Sequence, residues 1–260
     1  TASDIQGENS TRVLYIDARV ASISRETIID GFVVTAGQAN GNRFPNNLGG
    51  GIYCQSGTNE TCSPSLSNIK IIGNYAKLDG GGLYADGRDG GSSNPLIVDA
   101  VFSGNHALNL GGAFMSYGNQ GESNPVIVNT FFSENTAPSS GGAISIGGVG
   151  GAASIQVSNS VFAANTPEHV HYRANDNGPQ PHFSSSTFTG AERAFDNESL
   201  SDNHILITNS IFWGNDGDIA STDAPLDIRY SIVEEASYAE GGEHSGIGNL
   251  NADPLFVNIE

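Results

Sequence analysis

The chain has 260 residues, is rich in glycine (34), is only 37% hydrophobic, and sets 10 lysines and arginines against 28 aspartates and glutamates for a formal net charge of −18. A surface this acidic repels duplex nucleic acid and anionic membranes, so no nucleic-acid partner is expected. No run of about 18 apolar residues exists to span a bilayer, so no membrane insertion is expected. No stretch of roughly 12 residues free of Gly and Pro carries the spacing of an amphipathic helix.

In chain order, residues 13–16 and 27–34 read as the short strands of an irregular first turn, and residues 1–48 as an N-terminal cap and first coil. From residue 49 two phrases alternate. One is Gly49-Gly50-Gly51-Ile52, Gly80-Gly81-Gly82-Leu83, Gly111-Gly112-Ala113-Phe114 and Gly141-Gly142-Ala143-Ile144. The other places an apolar residue three positions before Asn: Ile71 and Asn74, Phe102 and Asn105, Phe132 and Asn135, Phe162 and Asn165. The apolar landmarks advance by 31, 30 and 30 residues. A constant period of this size marks stacked copies of one supersecondary unit. Each period holds short apolar strands and bends, with no helical segment and too little chain for a βαβ unit. The expected fold is therefore all-β, a right-handed parallel β-helix of about eight coils in a single domain spanning 1–260. Its coils are regular over 49–165, then irregular with a C-terminal cap over 166–260. After Asn165 the glycine pairs vanish and the step falls to 26 and then 24 residues, at Phe188 and Phe212. Atypical ends are expected of a solenoid that must cover open strand edges.

Two asparagine columns at fixed offset predict axial hydrogen-bonded ladders. One holds Asn68, Asn129, Asn159 and Asn209, with Asp99 and Ser185 in the same register; the other holds Asn74, Asn105, Asn135, Asn165 and Asn215. The glycine pairs predict tight corners with positive φ and close approach of neighbouring coils. Cys54 and Cys62, eight positions apart around Gly57 and Asn59, predict a disulfide and an oxidising compartment, with two reduced thiols as the alternative.

The Gly-Gly-Ala-Ile and Phe-x-x-Asn phrases resemble the repeat of chlamydial-type polymorphic outer membrane proteins. Asp30-Gly31-Phe32 and the closing Asn251-Ala252-Asp253-Pro254-Leu255-Phe256-Val257 resemble secreted bacterial right-handed β-helix proteins of the pectate-lyase-like superfamily. The resemblance implies a β-helix fold and a secreted or cell-surface location. It implies little about activity, because this scaffold carries lyases, glycosidases and adhesins alike.

If Ile52, Leu83, Phe114, Ile144, Val170, Phe195 and Ile219 point inward, the outward column of the same strands reads Tyr53, Tyr84, Met115, Ser145, His171, Asp196 and Ala220. Tyr53, Tyr84, Met115, His171 and Asp196 are the expected binding face, a flat exposed platform on which sugar rings stack. The catalytic alternative is a polysaccharide lyase or glycosidase using His171, Asp196, Glu168 and Arg173. A Ser145/His171/Asp196 nucleophile reading lacks a strained elbow and an oxyanion hole. His169 and His171 would share an outward face as an incomplete transition-metal pair. Asp86, Asp89, Asp216 and Asp218 are candidate calcium ligands, with no cofactor required. The sequence thus favours a non-catalytic adhesion, glycan-binding or structural role in a surface layer or fibre. The expected partners are glycans, other surface proteins or further copies of the chain.

Overall fold

The structure, a computed structural model, describes residues 10–175, 178–199, 205–217, 219–222, 226–235, 238 and 246–256. Three eight-stranded sheets run the length of the molecule, and every strand pair within them is parallel. The first sheet stacks Leu14–Ala18, Ile52–Ser56, Leu83–Asp86, Phe114–Tyr117, Ile144–Val149, Glu168–Asn175, Arg193–Asn197 and Ala220–Thr222. The second begins at Ile28–Asp30 and ends at Leu226–Arg229; the third runs from Val33–Thr35 to Ile232–Val233. Each coil contributes one strand to each sheet, which makes the fold a right-handed parallel β-helix of eight coils. Among the described residues no helix is long and apolar enough to cross a membrane.

The core is built from like residues lying on like residues. Phe102, Phe132, Phe162, Phe188 and Phe212 stack with ring centroids 5.0, 4.8, 4.8 and 4.8 Å apart. That spacing is the hydrogen-bonding distance between neighbouring strands, so a residue conserved in register becomes a continuous apolar column. Ile52, Leu83, Phe114, Ile144, Val170, Phe195 and Ile219 all point into this core, as expected.

The two asparagine columns part company. Asn74, Asn105, Asn135 and Asn165 are wholly buried at the corner before the first sheet. The side-chain amides of the first three donate to the carboxamide oxygen of the next coil, at 3.0, 2.9 and 2.9 Å, and to a backbone carbonyl. Coil six has Ala191 where the next asparagine would stand. There Asn165 Nδ2 donates to Nδ1 of buried His169 at 3.1 Å. The other ring nitrogen points toward Asn215 and the Thr189 backbone without closing a hydrogen bond of standard geometry. Asn215 accepts from the Ala191 amide and donates to the Phe188 carbonyl.

The first column is corrected. Asn68, Asn129, Asn159 and Asn209 are exposed, with φ of 48°, 51°, 50° and 51°. They occupy the left-handed residue of the tight bend between the second and third sheets, a conformation asparagine tolerates better than most residues. Asn68 donates to Asp30 and Asn129 to Asp99, but no buried ladder forms. The buried ladder of this bend is one residue later. The Thr130 amide donates to Ser160 Oγ, then Ser160 to Ser186, Ser186 to Ser210, and Ser210 to Ser231, at 3.2, 3.3, 3.2 and 3.0 Å.

The glycine corners are as expected. Gly111 has φ +65°, and a Cβ on Gly112 would lie 2.3 Å from the Gly142 carbonyl oxygen. The Cys54–Cys62 disulfide is formed, with Cα atoms 5.8 Å apart. It lies inside the apolar core rather than in a surface loop.

Candidate functional site

The outward column of the first sheet is where the sequence reading needs most correction. Tyr53, Tyr84 and Met115 do point away from the core, yet each is no more than 2% exposed. With Leu48 they form a second apolar cluster, joined at its margin by Leu110 and Tyr117. The cover is the corner segment between the third and first sheets, which is longest in the first coil. Arg12 donates to the Pro45 carbonyl at 2.6 Å and lies 5.0 Å over the Tyr53 ring. Arg88 lies 4.7 Å over Phe44 and 4.9 Å over Tyr117. The expected exposed platform is therefore absent at Tyr53, Tyr84 and Met115.

Asp86 is buried within this arrangement. Its carboxylate pairs with Arg88 at 2.6 Å and accepts from the Tyr53 hydroxyl at 2.6 Å. Burial, and then the neighbouring Asp86 charge, hold the Tyr53 pKa well above its ordinary value. The oxygens of Asp86 are thus committed to protein partners, and Asp89 is exposed in a left-handed turn at φ 56°. Asp216 is exposed, and Asp218 lies outside the described residues.

The cover is withdrawn further along. From Asn135 to Ile144 the corner takes nine steps, whereas from Asn165 to Val170, the residue paired with Ile144, it takes five. The missing four residues are the glycine-led loop, and they account for the drop in repeat length from 30 to 26. Over the exposed side of these coils opens a cleft of about 470 Å³. Asn109, Tyr117, Asn119, Ser139, Arg173 and Glu198 are among the residues lining it, with Met115, Ser145 and His171 also reaching it.

At one end of this cleft the predicted column does converge. Ser145 Oγ and His171 Nδ1 are 3.0 Å apart. His171 Nε2 lies 3.9 Å from Glu198 Oε2, whose other neighbour is Arg173 Nε at 3.5 Å. The nitrogen of His171 and the carboxylate oxygens of Asp196 and Glu198 all lie within 4.8 Å of one another. Burial lowers the His171 pKa, while the Asp196 and Glu198 charges oppose that shift. Glu168, by contrast, does not line the cleft. It is 2% exposed and accepts from the Gly141 amide. Burial, followed by the nearby Asp196 charge, raises its pKa to about 7 against the pull of that amide and of Arg193. His169 and His171 do not share a face: His169 sits in the asparagine corner between Phe162 and Phe188.

Residues 129–147 match the Chlamydia polymorphic membrane protein (Chlamydia_PMP) repeat. The matched stretch runs from the left-handed Asn129 through the ladder residue Asn135 and the Gly141-Gly142 corner into the strand that carries Ser145. It fits the stacked parallel strands, because those features define one step from coil to coil. Neither curated proteins nor solved structures gave a match to the chain.

The chemistry open to this cluster follows from its setting. Ser145 stands in mid-strand, paired in register with Met115 on one side and His171 on the other. Its backbone is engaged in the sheet, so the strand offers no convergent amide pair to hold an oxyanion. A neutral imidazole beside two carboxylates can instead hold a cation, and Tyr117 with the surrounding amides and Arg173 can contact a polar ligand with flat apolar faces. Glu198 is the site residue that the sequence reading missed. It is two positions beyond Asp196 on the same strand side, and only the end of strand Arg193–Asn197 shows that its side chain turns back to His171.

Proposed function

We propose that the chain is a cell-surface or secreted β-helix with a non-catalytic role, binding a glycan in the cleft beside Tyr117 and Arg173. The surface location rests on the repeat match, since the matched family is described as a membrane protein of Chlamydia. The observation that carries the glycan reading is the 470 Å³ cleft opened where the corner loop is shortened. It joins one half-buried aromatic ring to the side chains of Asn109, Asn119 and Ser139, the mixture that reads the apolar face and hydroxyl edge of a sugar. Neutral glycans suit it better than polyanions, because the net charge of −18 opposes an anionic polymer. The buried position of Glu168 weighs against the glycosidase alternative, which needs two carboxyl groups open to the substrate.

The test is a glycan array probed with the full chain, followed by titration of the retained sugars. Retention of neutral oligosaccharides without release of shorter products is the expected result, weakened about tenfold in Tyr117→Ala. Release of new reducing or unsaturated ends would establish the enzyme instead, and no retention on any glycan would remove the binding role.

A further inference from the structure

We infer that His171, Asp196 and Glu198 form a site for one divalent transition cation of the zinc type, open toward the cleft. The three residues come from adjacent coils, and their candidate ligand atoms already lie within 4.8 Å of one another. Tetrahedral zinc ligands about 2.0–2.1 Å from the ion sit roughly 3.4 Å apart. Closure therefore asks for small side-chain movements, and Glu198, 43% exposed at its side chain, is free to make them.

Two independent observations point to a ligand at this place. His171 is only 4% exposed, yet its Nε2 stands 3.9 Å from Glu198 Oε2, in a cluster that Asp196 completes. Its other nitrogen is already held by Ser145 at 3.0 Å. That is the arrangement that orients a metal-bound histidine: a second nitrogen anchored by the protein, fixing the ring and placing the lone pair on the first. A cation selects the tautomer with the proton on Nδ1 and cancels the repulsion between the Nε2 lone pair and the carboxylates. Arg173 partly neutralises Glu198 in the empty state, and its 62% exposed side chain can leave when the ion enters. One nitrogen and two carboxylates suit zinc better than calcium, which prefers an all-oxygen shell of six or more ligands. Three protein ligands leave a fourth position facing the cleft. This site does not depend on what else the cleft holds.

The test is calorimetric titration of the chelator-treated full chain with Zn²⁺ and, separately, Ca²⁺. The expected result is one Zn²⁺ per chain, with Ca²⁺ at least about tenfold weaker. Both His171→Ala and Glu198→Gln should weaken Zn²⁺ binding at least about tenfold. Glu198→Gln lies at a partly exposed side chain and keeps the test valid if the buried histidine variant does not fold. Absence of Zn²⁺ binding, or binding left unchanged by Glu198→Gln, would overturn the assignment.

Discussion

Asn129 and Asn135 are six positions apart in one coil, and the backbone uses them in opposite ways. Asn129 is exposed and left-handed at φ 51°, so its value is conformational. Asn135 is buried, and its carboxamide joins two coils and a backbone carbonyl. Asn129→Gly should change unfolding free energy by no more than about 0.5 kcal/mol, since glycine accepts that φ. Asn135→Ala should cost about 3 kcal/mol, because it strands buried donors and acceptors on both sides; denaturant melts compare the two directly. The sequence showed both columns but not this difference, since an isolated Asn does not reveal whether it is chosen for φ or for its amide. Glu168 and His169 carry the pH dependence of the same corner. The Glu168 pKa is raised by burial from 4.5 to about 7, so its protonated native form adds stability that is complete below pH 4.5 and is lost as pH rises through 7. The His169 pKa is lowered by burial from 6.5 to about 3, so its neutral native form is favoured above pH 6.5 and that advantage is lost as pH falls through 3. Between about pH 4.5 and 6.5 the two slopes oppose each other and nearly cancel. In chelator-treated protein, Glu168→Gln should therefore gain stability with rising pH across that window relative to the wild type, and His169→Asn should lose it, each by about 2–3 kcal/mol. Variants that both run parallel to the wild type would show that neither group titrates as argued.

At the scale of the element, the decisive feature is the corner between the third and first sheets. Its glycine phrase was legible as a turn, and so was its loss after Asn165. What the loss does was not legible. The inward and outward alternation of each strand followed from the period of two, and the inward residues were assigned correctly. The same alternation makes the outward residues look exposed, because strand patterning says nothing about a loop laid across the sheet. Leu48 reaches Tyr53, and Phe44 reaches Arg88, through contacts that no local rule predicts. The convergence of Ser145, His171 and Asp196 was visible as a register, because equal positions on successive coils must stack. Its enclosure at the end of a cleft was not. If the cleft exists because the corner is four residues short, restoring the length should close it. Inserting Ser-Ser-Gly-Gly after Pro167 should leave the β-rich circular dichroism spectrum unchanged and abolish glycan retention. Retention that survives the insertion would place the binding surface elsewhere.

At the scale of the molecule, stability is spread along a stack in which each coil touches only its neighbours. Phenylalanine stacking and the asparagine and serine ladders repeat from coil to coil, so no central element holds the remainder together. The disulfide is the exception. It joins strand Ile52–Ser56 to Cys62 within the second coil, inside the core. The cysteine spacing announced the bond, whereas its burial depended on Cys54 falling at an inward position, two after Ile52. A short loop of this size constrains the unfolded chain by about 2–3 kcal/mol. In a one-dimensional stack that loss should be felt close to the bond and fade with distance. Replacing both cysteines by alanine should therefore speed amide hydrogen exchange in Leu14–Ala18 and Ile52–Ser56. The amides of Phe131–Ser133 and Val161–Ala163, two and three coils along, should keep their protection. Equal acceleration in all four strands would mean that the coils unfold as one cooperative unit, and the nearest-neighbour description of this solenoid would fail.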